Sequence, residues 1–135
     1  MDDTKPRFTG GCLCGALRWE ADADPTYMGH CYCADCRKAS GSGFIPFMSF
    51  RAESIRFSGP ARQFASPAAS GRKEVRNFCP ICGSLVFGGE VGKTGSFTIY
   101  AGHGALRRLA MTRVGFMLLA SDLGPITGRA VDLDG

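Results

Sequence analysis

Apolar and polar positions alternate in short runs along this chain, each run broken by glycine, serine or proline. The runs that fit strands are 16–21 (ALRWEA), 43–50 (GFIPFMSF), 54–59 (SIRFSG), 61–66 (ARQFAS), 74–78 (EVRNF), 84–88 (SLVFG) and 96–101 (SFTIYA). They are rich in aromatic and β-branched side chains and are flanked by turn formers. In SIRFSG and EVRNF the alternation is that of a sheet with one face buried. The stretch 34–40 (ADCRKAS) reads as a short helix stopped by Gly41. Between 104 and 124, Leu106, Leu109, Ala110 and Arg113 give partial helical spacing, while VGFMLL fits a buried strand; both readings stay open. With no repeat and no linker, residues 1–135 are expected to form a single, mainly β domain of short antiparallel strands with one short helix.

Composition agrees with that picture. The 135 residues are 44% hydrophobic and 21% charged, enough for one domain with a real core. No run approaches the roughly 18 uninterrupted apolar residues of a membrane helix. The opening MDDTKPRFTGG lacks the apolar segment and cleavage site of a signal peptide. The expected compartment is the cytoplasm, with no membrane partner. The net charge of +4 is modest. Arg72 and Lys73 with Arg76, and Arg107 with Arg108, are expected on solvated faces, so no nucleic-acid partner is expected.

The cysteines change the picture most. There are seven, an odd number that leaves a disulfide framework with one thiol over, and a reducing compartment disfavours such a framework. They fall into three groups: Cys12 and Cys14 in GGCLCGA, Cys31, Cys33 and Cys36 in HCYCADC, and Cys79 and Cys82 in FCPICGS. Zinc–sulfur bonds of about 2.3 Å in a tetrahedron place the sulfurs roughly 3.8 Å apart. CPICG can reach that separation through a tight turn in which Pro80 presets one φ and Gly83 takes a positive one. In GCLCG, positions two apart share a face of an extended segment. The two pairs together complete a four-sulfur structural site of the zinc-knuckle kind. The triple is left with three sulfurs, the ligand number of a catalytic site that keeps one position for substrate. His30 as a fourth ligand, and redox use of the CxxC, are the alternatives. Two such zincs would reduce the net charge to about +1.

Together GxCxCG, HCxCxxCRKxSG and FCPxCGS resemble the glutathione-dependent formaldehyde-activating enzyme family, whose wider group includes centromere protein V. The resemblance spans about residues 8 to 102. It implies a β-tent fold with two zincs, Cys12, Cys14, Cys79 and Cys82 holding the structural one and Cys31, Cys33 and Cys36 the catalytic one. It also implies glutathione and formaldehyde as substrates, joined into S-hydroxymethylglutathione by a carbon–sulfur lyase. From residue 103 the tail departs from the family pattern, showing neither its aspartate-rich turn nor its H-I-F-like strand.

For such a reaction a thiolate attacks a carbonyl carbon, and a metal that takes the thiol as its fourth ligand lowers that thiol's pKa. A three-thiolate zinc is already negative, so an anionic ligand needs a nearby cation; Arg37 and Lys38 follow the last cysteine and are the candidates. Asp35 is expected as a helix cap rather than a proton relay. His30 is expected as a strand residue orienting a cysteine, with proton transfer as its other possible role, and His103 as a loop residue. Phe44, Phe47, Phe50 and Phe57 are expected in the core. The competing reading is a non-catalytic zinc module that serves a protein partner.

Overall fold

A computed structural model describes residues 6–68 and 70–101. Among the described residues, nine strands, one α-helix and a 3-10 turn follow one another: β1 (Phe8–Gly11), β2 (Arg18–Ala21), β3 (Tyr27–Cys31), α1 (Ala34–Ser40), β4 (Ile45–Arg51), the turn Ala52–Ser54, β5 (Ile55–Ser58), β6 (Arg62–Pro67), β7 (Lys73–Phe78), β8 (Leu85–Gly88) and β9 (Ser96–Tyr100). They build two sheets, one ordered β1-β2-β5 and the other β3-β4-β9-β8-β7-β6. The strand pairings are antiparallel throughout. The fold is therefore mainly β with one short helix, as the hydrophobic pattern predicts. The ambiguous stretch 104–124 lies outside the described residues.

Alternation sets the small sheet. In β2, Trp19 and Ala21 point inward while Arg18 and Glu20 point out. Glu20 stands opposite Arg56 of β5, whose guanidinium reaches both Glu20 and Asp22 at 3.2 Å. These ion pairs are exposed, so they help fix register more than they add stability. The inward face supplies Phe8, Leu17, Trp19, Ala21 and Ile55 to the main core. The large sheet contributes Met48, Phe50, Val86, Phe87, Phe97 and Ile99 to the same core. Phe50 packs against both Phe8 and Trp19, and Phe57 stacks on Phe87 with ring centroids 3.8 Å apart. Phe50 is thus a core residue and Phe57 packs against the core, whereas Phe44 and Phe47 are only half-buried.

The opposite face of the large sheet carries a smaller cluster, Cys36, Ile45 and Tyr100, with Cys31 and Leu85 against it. Here α1 covers the sheet. Gly41 ends the helix in the left-handed conformation at φ 69°, and its N–H bonds the Arg37 carbonyl.

Three sequence expectations are corrected. Strands form at Phe8–Gly11 and Tyr27–Cys31, where glycines dilute the strand signal. At Gly11 a β-carbon would lie 2.9 Å from the Leu17 carbonyl oxygen, so this strand uses glycine for close approach. β7 does not alternate: Val75, Arg76 and Asn77 are buried in succession, because both faces of the strand are covered. Arg76 is consequently no solvated cation. Arg72 and Lys73 are exposed, as expected, and Arg107 and Arg108 lie outside the described residues.

Candidate metal centre and active site

The four-cysteine cluster grows out of two turns. Cys12 and Cys14 follow β1, and Gly15 donates its N–H to the Cys12 carbonyl at 3.1 Å. Cys79 and Cys82 occupy the β7–β8 turn, where Gly83, at φ 79°, donates its N–H to the Cys79 carbonyl at 2.8 Å. That left-handed residue is what the FCPICGS spacing requires. The turns bring Cys14 Sγ within 3.8 Å of Cys79 Sγ and within 3.6 Å of Cys12 Sγ. All four sulfurs lie within 4.8 Å of one another.

Main-chain amides point at these sulfurs. Leu17 N–H donates to Cys12 Sγ at 3.3 Å and Ile81 N–H to Cys79 Sγ at 3.4 Å. Ser84 Oγ sits 3.2 Å from Cys82 Sγ and accepts the Leu13 N–H, bridging the two turns. The Ser84 hydroxyl and N–H hold the Cys82 thiol down at about 5. Burial opposes ionisation of Cys12, but the Leu17 N–H and neighbouring sulfurs outweigh it and lower that thiol. Against a hydrogen bond from Ala16, burial and the other three sulfurs push Cys14 up to about 11. The cluster therefore titrates as a unit, with protons concentrated on some sulfurs and charge on others.

The three-cysteine cluster is arranged differently. Cys31 ends β3, Cys33 precedes α1 and Cys36 lies in its first turn. Cys31 Sγ is 3.4 Å from Cys33 Sγ, and the three sulfurs lie within 4.8 Å of one another. Separations in both clusters are close to the edge of a zinc–thiolate tetrahedron, so the donor sets fit a metal ion. Among the described residues no further histidine, cysteine or carboxylate joins the three sulfurs. His30 packs edge-on against Phe44, ring centroids 5.1 Å apart, in a small aromatic group with Tyr32. Burial lowers its pKa.

Asp35 is not the helix cap. That place belongs to Cys33, whose Sγ accepts the Cys36 N–H at 3.3 Å. The same hydrogen bond orients a prospective ligand and satisfies a helix N-terminal amide. Asp35 and Lys38 are exposed and Arg37 is half-buried. Hydrogen bonding with Cys36 pulls the Cys31 thiol down to about 5 despite burial, and the same contact, with burial, pushes Cys36 up.

Arg76, expected on a solvated face, and Tyr100 lie against this cluster. Arg76 is 6% exposed, and its Nη2 lies 3.8 Å from Cys36 Sγ. Burial works against its charge, yet Tyr100 and Cys36 outweigh burial and raise its pKa. Gly88 stands opposite Arg76, and a β-carbon there would come within 3.0 Å of the Tyr100 hydroxyl. Burial pushes the Tyr100 phenol up, against the pull of Arg76. The available signal was an arginine three positions before Cys79, on the strand leading into the Cys79–Cys82 turn. His103 lies outside the described residues.

The family model for glutathione-dependent formaldehyde-activating enzyme matches residues 7–113, most of the chain and both cysteine clusters. The chain belongs to this family. A Schizosaccharomyces pombe protein named as an uncharacterized lyase is 27% identical over 82 residues, 61% of this chain and 57% of that protein. The matched stretch thus spans just over half of the relative's length. A crystal structure of a Rhodobacter sphaeroides protein superposes with a TM-score of 0.50 at 18% identity, covering 68% of this chain and 83% of that one. That likeness concerns fold alone. The two cysteine clusters of this chain could hold metal ions. Among the described residues no helix is long and apolar enough to cross a membrane.

Proposed function

We propose that this chain is a zinc-dependent carbon–sulfur lyase-like enzyme that forms or cleaves a thiol–aldehyde adduct, with S-hydroxymethylglutathione, from glutathione and formaldehyde, as the first candidate. The observation that carries the reading is the contrast between clusters: four sulfurs converge in one and three in the other. In this reading Cys12, Cys14, Cys79 and Cys82 hold a structural zinc, and Cys31, Cys33 and Cys36 hold the catalytic one. The whole chain, 1–135, acts as one domain, and the cytoplasm is its compartment.

In the forward direction the thiol sulfur attacks the aldehyde carbon. A C–S bond forms, the C=O π bond becomes an alkoxide, and that oxygen takes up a proton as the thiol gives one up. Zinc at the three-cysteine site would supply Lewis acidity that favours the thiolate at neutral pH. The chain supplies position and charge. Cys33, fixed by the Cys36 N–H, and Cys36, buried under α1, hold the ligand geometry from one side. Arg76 sets a cation beside it. A groove of about 460 Å³ runs between the end of α1, the start of β4 and the Gly83–Leu85 segment. Its wall includes Ile45 and Tyr100, which also cluster with Cys36. A groove of this volume is within the range that accommodates small-molecule ligands. Ser40, Ser42 and Ser84 line it; the Ser40 and Ser84 hydroxyls are engaged within the chain, which leaves the Ser42 hydroxyl to meet a peptide-like thiol.

The test is a titration of the cobalt-substituted protein with glutathione or 2-mercaptoethanol, followed through the thiolate-to-cobalt charge-transfer band. A saturable change equal to one thiol per chain is expected. A spectrum that thiols leave unaltered would favour the non-catalytic module with both metals closed.

A further inference from the structure

A guanidinium buried as deeply as that of Arg76 needs negative charge close by. Among the described residues no carboxylate comes within ion-pair distance of it, and its Nε has no hydrogen-bond partner. What it does reach is the Cys36 sulfur, at 3.8 Å, from the neighbouring strand face. The groups whose charge bears on it are Tyr100, Cys36 and Glu74. Tyr100 stays neutral near pH 7, since burial pushes its phenol up. Glu74 is two positions along the same strand, only half-buried, and also bears on Cys31. The group in contact with Arg76 is therefore a sulfur of the cluster, with Glu74 acting from farther away.

We propose that Arg76 is the charge-compensating residue of the three-cysteine site, offsetting its thiolates and thereby setting its affinity for a metal ion and for an anionic fourth ligand. The inference rests on the open-site reading and deepens it. Three thiolates around a divalent zinc leave one net negative charge, and a bound thiolate adds a second. With Arg76 counted, those totals become zero and one. A neutral fourth ligand gains little from this cation, while an anionic one gains more, because Arg76 and Cys36 are themselves buried and the charge between them is poorly screened. Arg37 and Lys38, the cations that the sequence singles out, differ in kind: Lys38 is exposed and Arg37 half-buried, whereas Arg76 is enclosed.

The experiment compares the wild-type chain with Arg76→Gln and Arg76→Lys, each loaded with cobalt. Metal content, the chelator competition of each site, and the affinities of 2-mercaptoethanol and imidazole as added ligands are measured. Retention of the four-cysteine metal reports that a variant has folded. The expected result for Arg76→Gln is metal affinity at the three-cysteine site reduced about 10- to 100-fold, the range typical for groups that orient or tune ligands. 2-Mercaptoethanol affinity should fall by more than imidazole affinity, and Arg76→Lys should recover most of both losses. A purely structural role would weaken both ligands alike, and Lys would rescue neither; that result overturns the proposal. Should Arg76→Gln fail to fold, Arg76→Lys carries the test: the compensating role predicts a preserved preference for thiolate over imidazole, and loss of that preference in the folded variant overturns it. A wild-type chain that binds two metals but no thiol would sink the enzyme reading alone, with the Arg76→Gln metal affinity still deciding this one. Unchanged metal and thiolate affinities in Arg76→Gln would sink the role of Arg76 alone.

Discussion

At the residue scale, the reactivity of the site follows from how its protons are shared. Hydrogen bonding with Cys36 holds Cys31 down at about 5, and the same contact pushes Cys36 above its ordinary value. From about pH 5 upward Cys31 is already a thiolate while Cys36 keeps its proton. Metal binding must displace that proton, so affinity is gained as pH rises and lost as it falls. We predict that the apparent metal affinity of the three-cysteine site, corrected for the chelator's own protonation, rises about tenfold or more per pH unit between about pH 6 and 8. A flat profile would show that the cysteines bind without giving up a proton. The division of the seven cysteines into a group of four and a group of three was legible in the sequence, because CxC and CxxC spacings favour such clusters. Arg76 was not: an arginine in an alternating strand reads as solvent-facing, and only the covering of the strand's second face by α1 and Tyr100 buries it. Asp35 misled for a related reason. Its composition signal is that of a cap, but Cys33 already fills that place with sulfur.

At the scale of elements, most strands were legible because aromatic and β-branched residues cluster between turn formers. β1 and β3 were not, since FTGG and YMGHC carry glycines that serve packing rather than propensity, Gly11 against the Leu17 carbonyl and Gly29 against the rings of Tyr27 and Phe47. Gly59 shows the same use more sharply. It follows β5 at φ 96°, and a β-carbon there would overlap the Ala16 carbonyl oxygen. Ala16 lies in the loop that presents Cys12 and Cys14 ahead of β2. Gly59→Ala should cost about 1–3 kcal/mol from the backbone conformation alone, with the clash adding to it. The denaturation midpoint reads this directly, and an unchanged midpoint would mean that the loop can move aside freely. The helix, by contrast, has the bounds that its sequence predicts, 34–40 with Gly41 as the stop, because a left-handed glycine leaves little latitude at a C-terminus.

On the scale of the whole molecule, the two clusters have different structural reach. Cys12 and Cys14 belong to the connection between β1 and β2 of the small sheet, and Cys79 and Cys82 to the β7–β8 turn of the large one. A metal shared by these four ties the sheets together and closes a long loop of chain. Cys31, Cys33 and Cys36 lie on one short segment, so a metal there constrains little beyond it. Cys79→Ser should therefore lower the thermal midpoint by roughly 10 °C or more, which corresponds to a loss of about 3 kcal/mol in a domain of this size. Cys31→Ser should leave the midpoint within a few degrees of wild type while removing thiol binding. Equal losses in both would contradict this division into a structural and a reactive site.

Elemental analysis of the chain purified without chelators tests the central claim most directly. Two zinc ions per chain are predicted, falling to one in Cys36→Ser with the fold intact. One zinc in the wild type, unchanged by Cys36→Ser, would mean that the three cysteines hold no metal, and the proposed chemistry would lose its centre.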